Sequence, residues 1–172
     1  KKKMVPLLIL PTTSGTGSEA TSFSVIYNRG KKFSVESKFL LPDYAVLDVS
    51  LVRNMPPYLR ACTMFDALSQ SIESLWSNNA TEFTKKNALE SIELIVKNIN
   101  RGIIDNSYFV DMIMAAHLSG VAINASKTTA AHAYSYFMTS TFNIPHGHAV
   151  ALILGIVLDI NLGEGDKSVK RN

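Results

Sequence analysis

The chain has 172 residues, 47% of them hydrophobic, enough to bury a core; the length favours one domain with room for a small second. Net charge is +3 and the isoelectric point is near 9.0, but five of the 17 basic residues crowd the two ends, in Lys1-Lys2-Lys3 and Lys170-Arg171. No basic stripe with interleaved aromatics appears, so nucleic acid is not an expected partner. The single Cys62 excludes an internal disulfide and fits a reducing, cytoplasmic compartment. The apolar run Val150 to Leu158 is shorter than a bilayer crossing, and the opening lysines lead into no cleavage-site pattern, so neither a membrane nor a signal peptide is expected.

In chain order, Met4 to Leu10 is a continuous apolar run that predicts a buried, parallel, central strand ending at Pro11. Thr12 to Glu19 follows, with two glycines and five hydroxyls in eight residues: a loop whose backbone can approach a ligand and whose amides suit a phosphate, or an ordinary polar turn. Phe23 to Tyr27, the turn Asn28-Arg29-Gly30 and Lys31 to Val35 predict a β-hairpin. Tyr44 to Leu47 is another short strand. After Ser50 the pattern turns helical. Pro56-Pro57 opens a helix that ends near Ser77-Asn78-Asn79. Thr81 to Asn100 is a long helix capped by Thr81 or Asn79. A third is capped by Asn106 or Ser107 and runs to about Ile123. A fourth spans Thr128 to Ser140. Asn143-Ile144-Pro145 breaks it, and His146 opens the last, to Ile160, before a polar, frayed end. Strands this short need partners, which predicts that the chain lacks sheet on its N-terminal side.

The stretch Thr63 to Trp76 carries the chemistry. Phe65, Leu68, Ile72 and Leu75 recur three or four apart and predict an amphipathic helix with that face inward. Asp66 and Gln70, four apart, project from one side. With His132 and His146 they make a four-donor shell for a divalent metal; a solvated polar edge and two core histidines are the other reading of the same residues.

Taken together, Pro11-Thr12-Thr13-Ser14-Gly15-Thr16-Gly17-Ser18-Glu19, Pro42-Asp43-Tyr44-Ala45-Val46-Leu47-Asp48, Met55-Pro56-Pro57, Asp66-Ala67-Leu68 and Pro145-His146-Gly147 resemble the iron-containing (group III) alcohol dehydrogenase family over about residues 4 to 160. The resemblance implies an α/β part followed by an all-α part in a dehydroquinate synthase-like fold. Residues 1–50 would be the end of a Rossmann-like nucleotide-binding domain, and 51–172 the start of a helical metal domain, so that the chain is an internal fragment. It implies Asp66, Gln70, His132 and His146 as metal ligands, with His132 and His146 at the catalytic centre; Gln70 departs from the family, which has a histidine there. Tyr136 also departs, standing where many members carry a histidine. It implies that Thr12, Thr13, Thr16, Thr21, Phe23, Lys32 and Val49 contact NAD or NADP.

The Asp66-to-Gln70 form and the runs Ser126 to Tyr136 and Ile144 to Leu152 look most like the phosphonoacetaldehyde reductase branch, which makes 2-hydroxyethylphosphonate. Lys127, Thr128 and Thr129 then face an anionic phosphonate, or form a solvated helix start. The implied activity is interconversion of a small alcohol and aldehyde with iron(II) or zinc, in a homo-oligomer. A dehydroquinate synthase-like lyase or cyclase and a degenerate, non-catalytic chain are the alternatives. His148 receives no assignment.

Overall fold

The computed structural model describes residues 5–28, 31–101 and 104–163, leaving aside the side chains of residues 27, 28, 31, 32 and 101. The opening lysines, the hairpin tip Arg29-Gly30 and the polar end from residue 164 lie outside it.

Strands come first: β1 (Leu8–Ile9), β2 (Phe23–Asn28), β3 (Lys31–Glu36) and β4 (Tyr44–Ala45), with a 3-10 turn at Ser18–Ala20. β2 and β3 form the expected antiparallel hairpin, in register from Phe23 opposite Glu36 to Asn28 opposite Lys31. β1 pairs with β4 in parallel, as predicted, but only over Leu8–Tyr44 and Ile9–Ala45. The expectation of a buried central strand is corrected. Leu8 is 53% exposed, and Val5 and Leu10 are also exposed, because a two-residue pair has neither a flanking strand nor a covered face among the described residues.

Six helices follow: α1 (Val49–Val52), α2 (Pro57–Trp76), α3 (Glu82–Arg101), α4 (Asn106–Ser126), α5 (Ala130–Phe142) and α6 (His146–Gly163). Local chemistry sets their ends. Asp48 caps α1 by accepting from the Ser50 amide at 2.8 Å. Pro57 occupies the first turn of α2, where its missing N–H costs nothing. Thr81 caps α3 by accepting from the Thr84 amide at 3.2 Å. The cap of α4 is Asp105, accepting from the Tyr108 amide at 3.1 Å, rather than Asn106 or Ser107, and the helix runs on to Ser126. Lys127 then takes a left-handed φ of 65° and ends it, which delays α5 to Ala130. Asn143, at φ 56°, ends α5.

α2 is the central helix, packed against α3, α4 and α6; α5 packs on α6. Its expected apolar face is not the buried one. Phe65 is 39% exposed and Leu68, Ile72 and Leu75 are half-buried, whereas Asp66, Ser69, Gln70, Ser71, Glu73 and Ser74 are buried. Small side chains let three helices approach closely, and each serine finds a partner. Ser71 Oγ donates to Ser91 Oγ at 2.9 Å, which donates to the Ala115 carbonyl at 2.8 Å; Ser126 Oγ donates to Ser74 Oγ at 2.8 Å. α3 repeats the pattern: Thr84, Ala88, Ser91, Ile95 and Asn98 are buried while Phe83, Leu89, Val96 and Ile99 are exposed. The apolar core lies in patches around this polar seam, such as Ala67, Ile95, Met112, Ala115 and Ala116.

The run Val150 to Leu158 is only part of α6. By length and composition alone, α4 and α6 each suffice to cross a bilayer; α4 is instead a core helix, and α6 seats its first turn on α2.

Candidate metal centre

Asp66 sits buried on the inner side of α2. His132 lies in the first turn of α5, and His146 is the first residue of α6. Two helix starts therefore converge on one carboxylate. Asp66 Oδ1 is 3.3 Å from His132 Nε2 and 3.8 Å from His146 Nε2, and one donor atom from each residue falls within 4.8 Å of the others. Donors on a common divalent ion at metal–ligand distances near 2.1 Å stand roughly 3 to 4 Å apart, so this spacing fits a cation.

Packing at Gly147 brings His146 there. A Cβ on Gly147 would lie 2.0 Å from the Cys62 carbonyl oxygen and 3.3 Å from Asp66 Cβ, so only glycine lets α6 start against α2. The His146 ring stacks on Tyr136, with centroids 5.5 Å apart and planes 3° from parallel.

His132 is held differently. Its Nδ1 meets Glu73 Oε2 and its Nε2 faces Asp66. Burial alone would pull its pKa down, but hydrogen bonds to Asp66 and Glu73, reinforced by their charges, push it up to about 9. For Glu73, burial works to raise the pKa, yet the His132 hydrogen bond and charge, with Thr129, hold it below the usual value. The sequence reading missed Glu73. The signal was there: it stands seven residues after Asp66 and three after Gln70, on the same helix side.

Gln70 is buried beside these groups. Ser119 Oγ lies 2.8 Å from its Oε1, and its Nε2 reaches the Thr16 carbonyl at 3.4 Å, so the amide links α4 to the glycine-containing loop. Further ties fix that loop. Ser22 donates through its amide and hydroxyl to Asn124 Oδ1, and buried Glu19 pairs with His117 at 3.1 Å, a contact no sequence signal pointed to.

The loop glycines make their close approaches to protein. A Cβ on Gly15 would lie 2.6 Å from Thr63 Cβ, and one on Gly17, at φ 59°, would lie 2.5 Å from Gly120 Cα. They dock the loop on α2 and α4, and Thr16 and Ser18 are left facing open space.

That space is a cavity of about 530 Å³. Its wall includes Asp66, Gln70, His132, Tyr136 and His146 on the helical side, and Thr16, Ser18, Thr21 and Phe23 opposite. Of the residues assigned to the cofactor, Thr16, Thr21 and Phe23 line it. Thr12 and Thr13 stand on the same loop but off the wall. Val49 packs on the apolar cluster of Val52, Met55, Phe109 and Ile113, away from the cavity. Lys32 lies in β3, and its side chain falls outside the described residues. Thr128 joins the wall, whereas Thr129 is turned to Glu73. The Lys127 ammonium is 2.6 Å from Glu36 and 5.0 Å from the Phe23 ring centre. His148 points elsewhere, with its Nδ1 2.9 Å from the Tyr58 hydroxyl.

Known proteins are similar to this chain in sequence and fold. Residues 60–171 match the Fe-containing alcohol dehydrogenase family, C-terminal, and residues 1–49 match Iron-containing alcohol dehydrogenase. The chain belongs to the iron-containing alcohol dehydrogenase family. Long-chain-alcohol dehydrogenase 1 of Geobacillus thermodenitrificans is 34% identical over 161 residues, 92% of this chain and 41% of that protein. 1-Propanol dehydrogenase PduQ of Salmonella typhimurium is 34% identical over 159 residues, 90% and 43% of the two chains. The crystal structure of sulfoacetaldehyde reductase from Bifidobacterium kashiwanohense in complex with NAD+ superposes with a TM-score of 0.85 at 35% identity, covering 91% of this chain and 43% of that one. The fold of this chain is therefore the family's dehydroquinate synthase-like fold. The chain spans about two fifths of the length of these relatives.

Proposed function

We propose that this chain carries the metal centre and one wall of the dinucleotide site of an NAD(P)-linked alcohol dehydrogenase that interconverts a small alcohol and its aldehyde. The observation that carries this is the convergence of Asp66, His132 and His146 in one cavity wall, opposite Thr16, Thr21 and Phe23. In this reading residues 1–50 end the nucleotide-binding part and 51–172 begin the helical part. Asp66, His132 and His146 hold iron(II) or zinc. The Gln70 carbonyl, with a second lone pair beside the Ser119 hydroxyl, is the weaker fourth donor. When bound, the cation supplies Lewis-acid polarisation of the substrate oxygen and the dinucleotide supplies hydride-transfer chemistry. The protein's share is placement. Phe23 and Val25 offer an apolar wall that excludes water, Thr16 and Ser18 offer hydroxyls to polar cofactor groups, and Tyr136 brings a phenol close to His146 from which a proton can be exchanged.

The finer reading is that the aldehyde bears an anionic group, with phosphonoacetaldehyde reduced to 2-hydroxyethylphosphonate. The similar reductase acting on sulfoacetaldehyde supports this, as does Thr128 in the wall beside Lys127, although an anion must compete with Glu36 for that ammonium. The test is aldehyde-dependent oxidation of NADH and NADPH by the full-length protein loaded with iron(II) or zinc. Phosphonoacetaldehyde, sulfoacetaldehyde and propionaldehyde are compared. Turnover of any of them supports the dehydrogenase, and preference for the first two supports the anionic substrate. No oxidation with any of the three overturns both.

A further inference from the structure

Glu73 is fully buried, and among the described residues no lysine or arginine pairs with it. Burying a carboxylate is costly unless donors replace its water. Here the start of α5 does so: Oε1 accepts from the Thr129 amide at 2.9 Å, the Thr129 hydroxyl at 2.7 Å and the Ala131 amide at 2.9 Å. That leaves Oε2 for one partner, His132 Nδ1.

We infer that Glu73 is the positioning residue of the metal centre: by accepting the Nδ1 proton of His132 while clamping the start of α5, it dictates that Nε2 is the nitrogen turned toward Asp66 and His146 and left to ligate. This rests on the metal-centre reading above. An imidazole has two nitrogens, and the hydrogen bond made by one decides which of them is left to ligate. α2 supplies both carboxylates, Asp66 and Glu73, two turns apart on one rigid helix, and the His132 ring bridges them. The same carboxylate anchors the backbone that carries the ring, so ring orientation and helix position are set by a single group. Glu73 lies outside the cavity wall.

The discriminating variant is Glu73→Gln, which keeps the shape. Its carbonyl can still cap α5, but its NH₂ faces Nδ1, so Nδ1 must accept and the proton moves to Nε2. Expected is a loss of Zn(II) affinity of the folded protein of about 10- to 100-fold, measured by chelator competition beside the thermal midpoint of the zinc-free protein, which falls as the Glu73–His132 charge pair is lost. A general structural role would lower that midpoint and leave the affinity of the folded fraction alone. Long-range ¹⁵N–¹H spectra of the zinc-loaded parent chain give a second reading that needs no variant: His132 should show a proton on Nδ1 and zinc on Nε2. Zinc on Nδ1, or a Glu73→Gln affinity within about 3-fold of the parent, well short of the expected loss, overturns the positioning role and leaves the metal centre standing. A parent chain that takes up no zinc overturns both.

Discussion

His132 and His146 approach the same carboxylate from two helix starts, yet the protein holds them by different physics. The His132 side chain is 5% exposed and lies between two carboxylates. The His146 side chain is 37% exposed, stacked on Tyr136, with Ser135 Oγ 3.4 Å from its Nδ1. Hydrogen bonds and charge orient the first. The second is carried in by backbone contact, Gly147 lying flat against the Cys62 carbonyl. A centre built this way has one side fixed before any ligand arrives and one side whose geometry depends on how closely two helices pack.

Mutations can separate the two sides. Asp66 is the donor common to both, so Asp66→Ala should abolish zinc binding in calorimetry, the largest effect expected. His132→Ala should abolish it too and also lower stability by about 3 kcal/mol, since Glu73 is left buried without its imidazole. His146→Ala should weaken binding severely but change the denaturant midpoint of the zinc-free chain by less than about 1 kcal/mol, as befits a half-exposed ring. Equal stability losses in the two histidine variants would mean that both rings are held alike. Gly147→Ala should cost about 1–3 kcal/mol through overpacking and lower zinc affinity with all four donors intact, because α6 must move away from α2.

Acidity probes the fixed side. In the zinc-free protein the His132 pKa is raised to about 9 from an ordinary 6.5, so the protonated ring favours the folded state. That contribution is fully present below about pH 6.5 and is lost as pH rises through about 9. Thermal midpoints measured with chelator should fall across this window, and His132→Ala should flatten the fall. The smallest change expected is at the fourth donor. Gln70→His should raise zinc affinity on the order of 10-fold, imidazole being the better zinc ligand, while loosening the loop that Gln70 ties through Thr16.

Periodicity and punctuation in the sequence were enough for the element plan. Pro57, Thr81 and Asn143 mark ends that backbone chemistry alone decides. The triad of Asp66, His132 and His146 was legible as well, through residue types that suit a metal and a resemblance that named them. Which side of α2 faces inward was not. Periodicity weighs polarity, and it chose Phe65 and Ile72 over Ser69, Ser71 and Ser74; helices packed this tightly select for small size, and a serine costs little once a neighbouring helix accepts its hydroxyl. The loop glycines were legible only in part, for a related reason. A glycine announces close approach without saying to what, and here Gly15 and Gly17 approach Thr63 and Gly120. Glu73 stayed hidden because a carboxylate late in a helix reads as surface until a second helix brings its N–H groups and an imidazole to it. By itself the chain determined its helices, its hairpin and three residues of types suited to a metal, since these follow from local backbone preference and residue chemistry. Only the tertiary structure decided which polar groups are buried, what orients His132 and where the loop rests, because those depend on partners some 50 to 100 residues away in sequence.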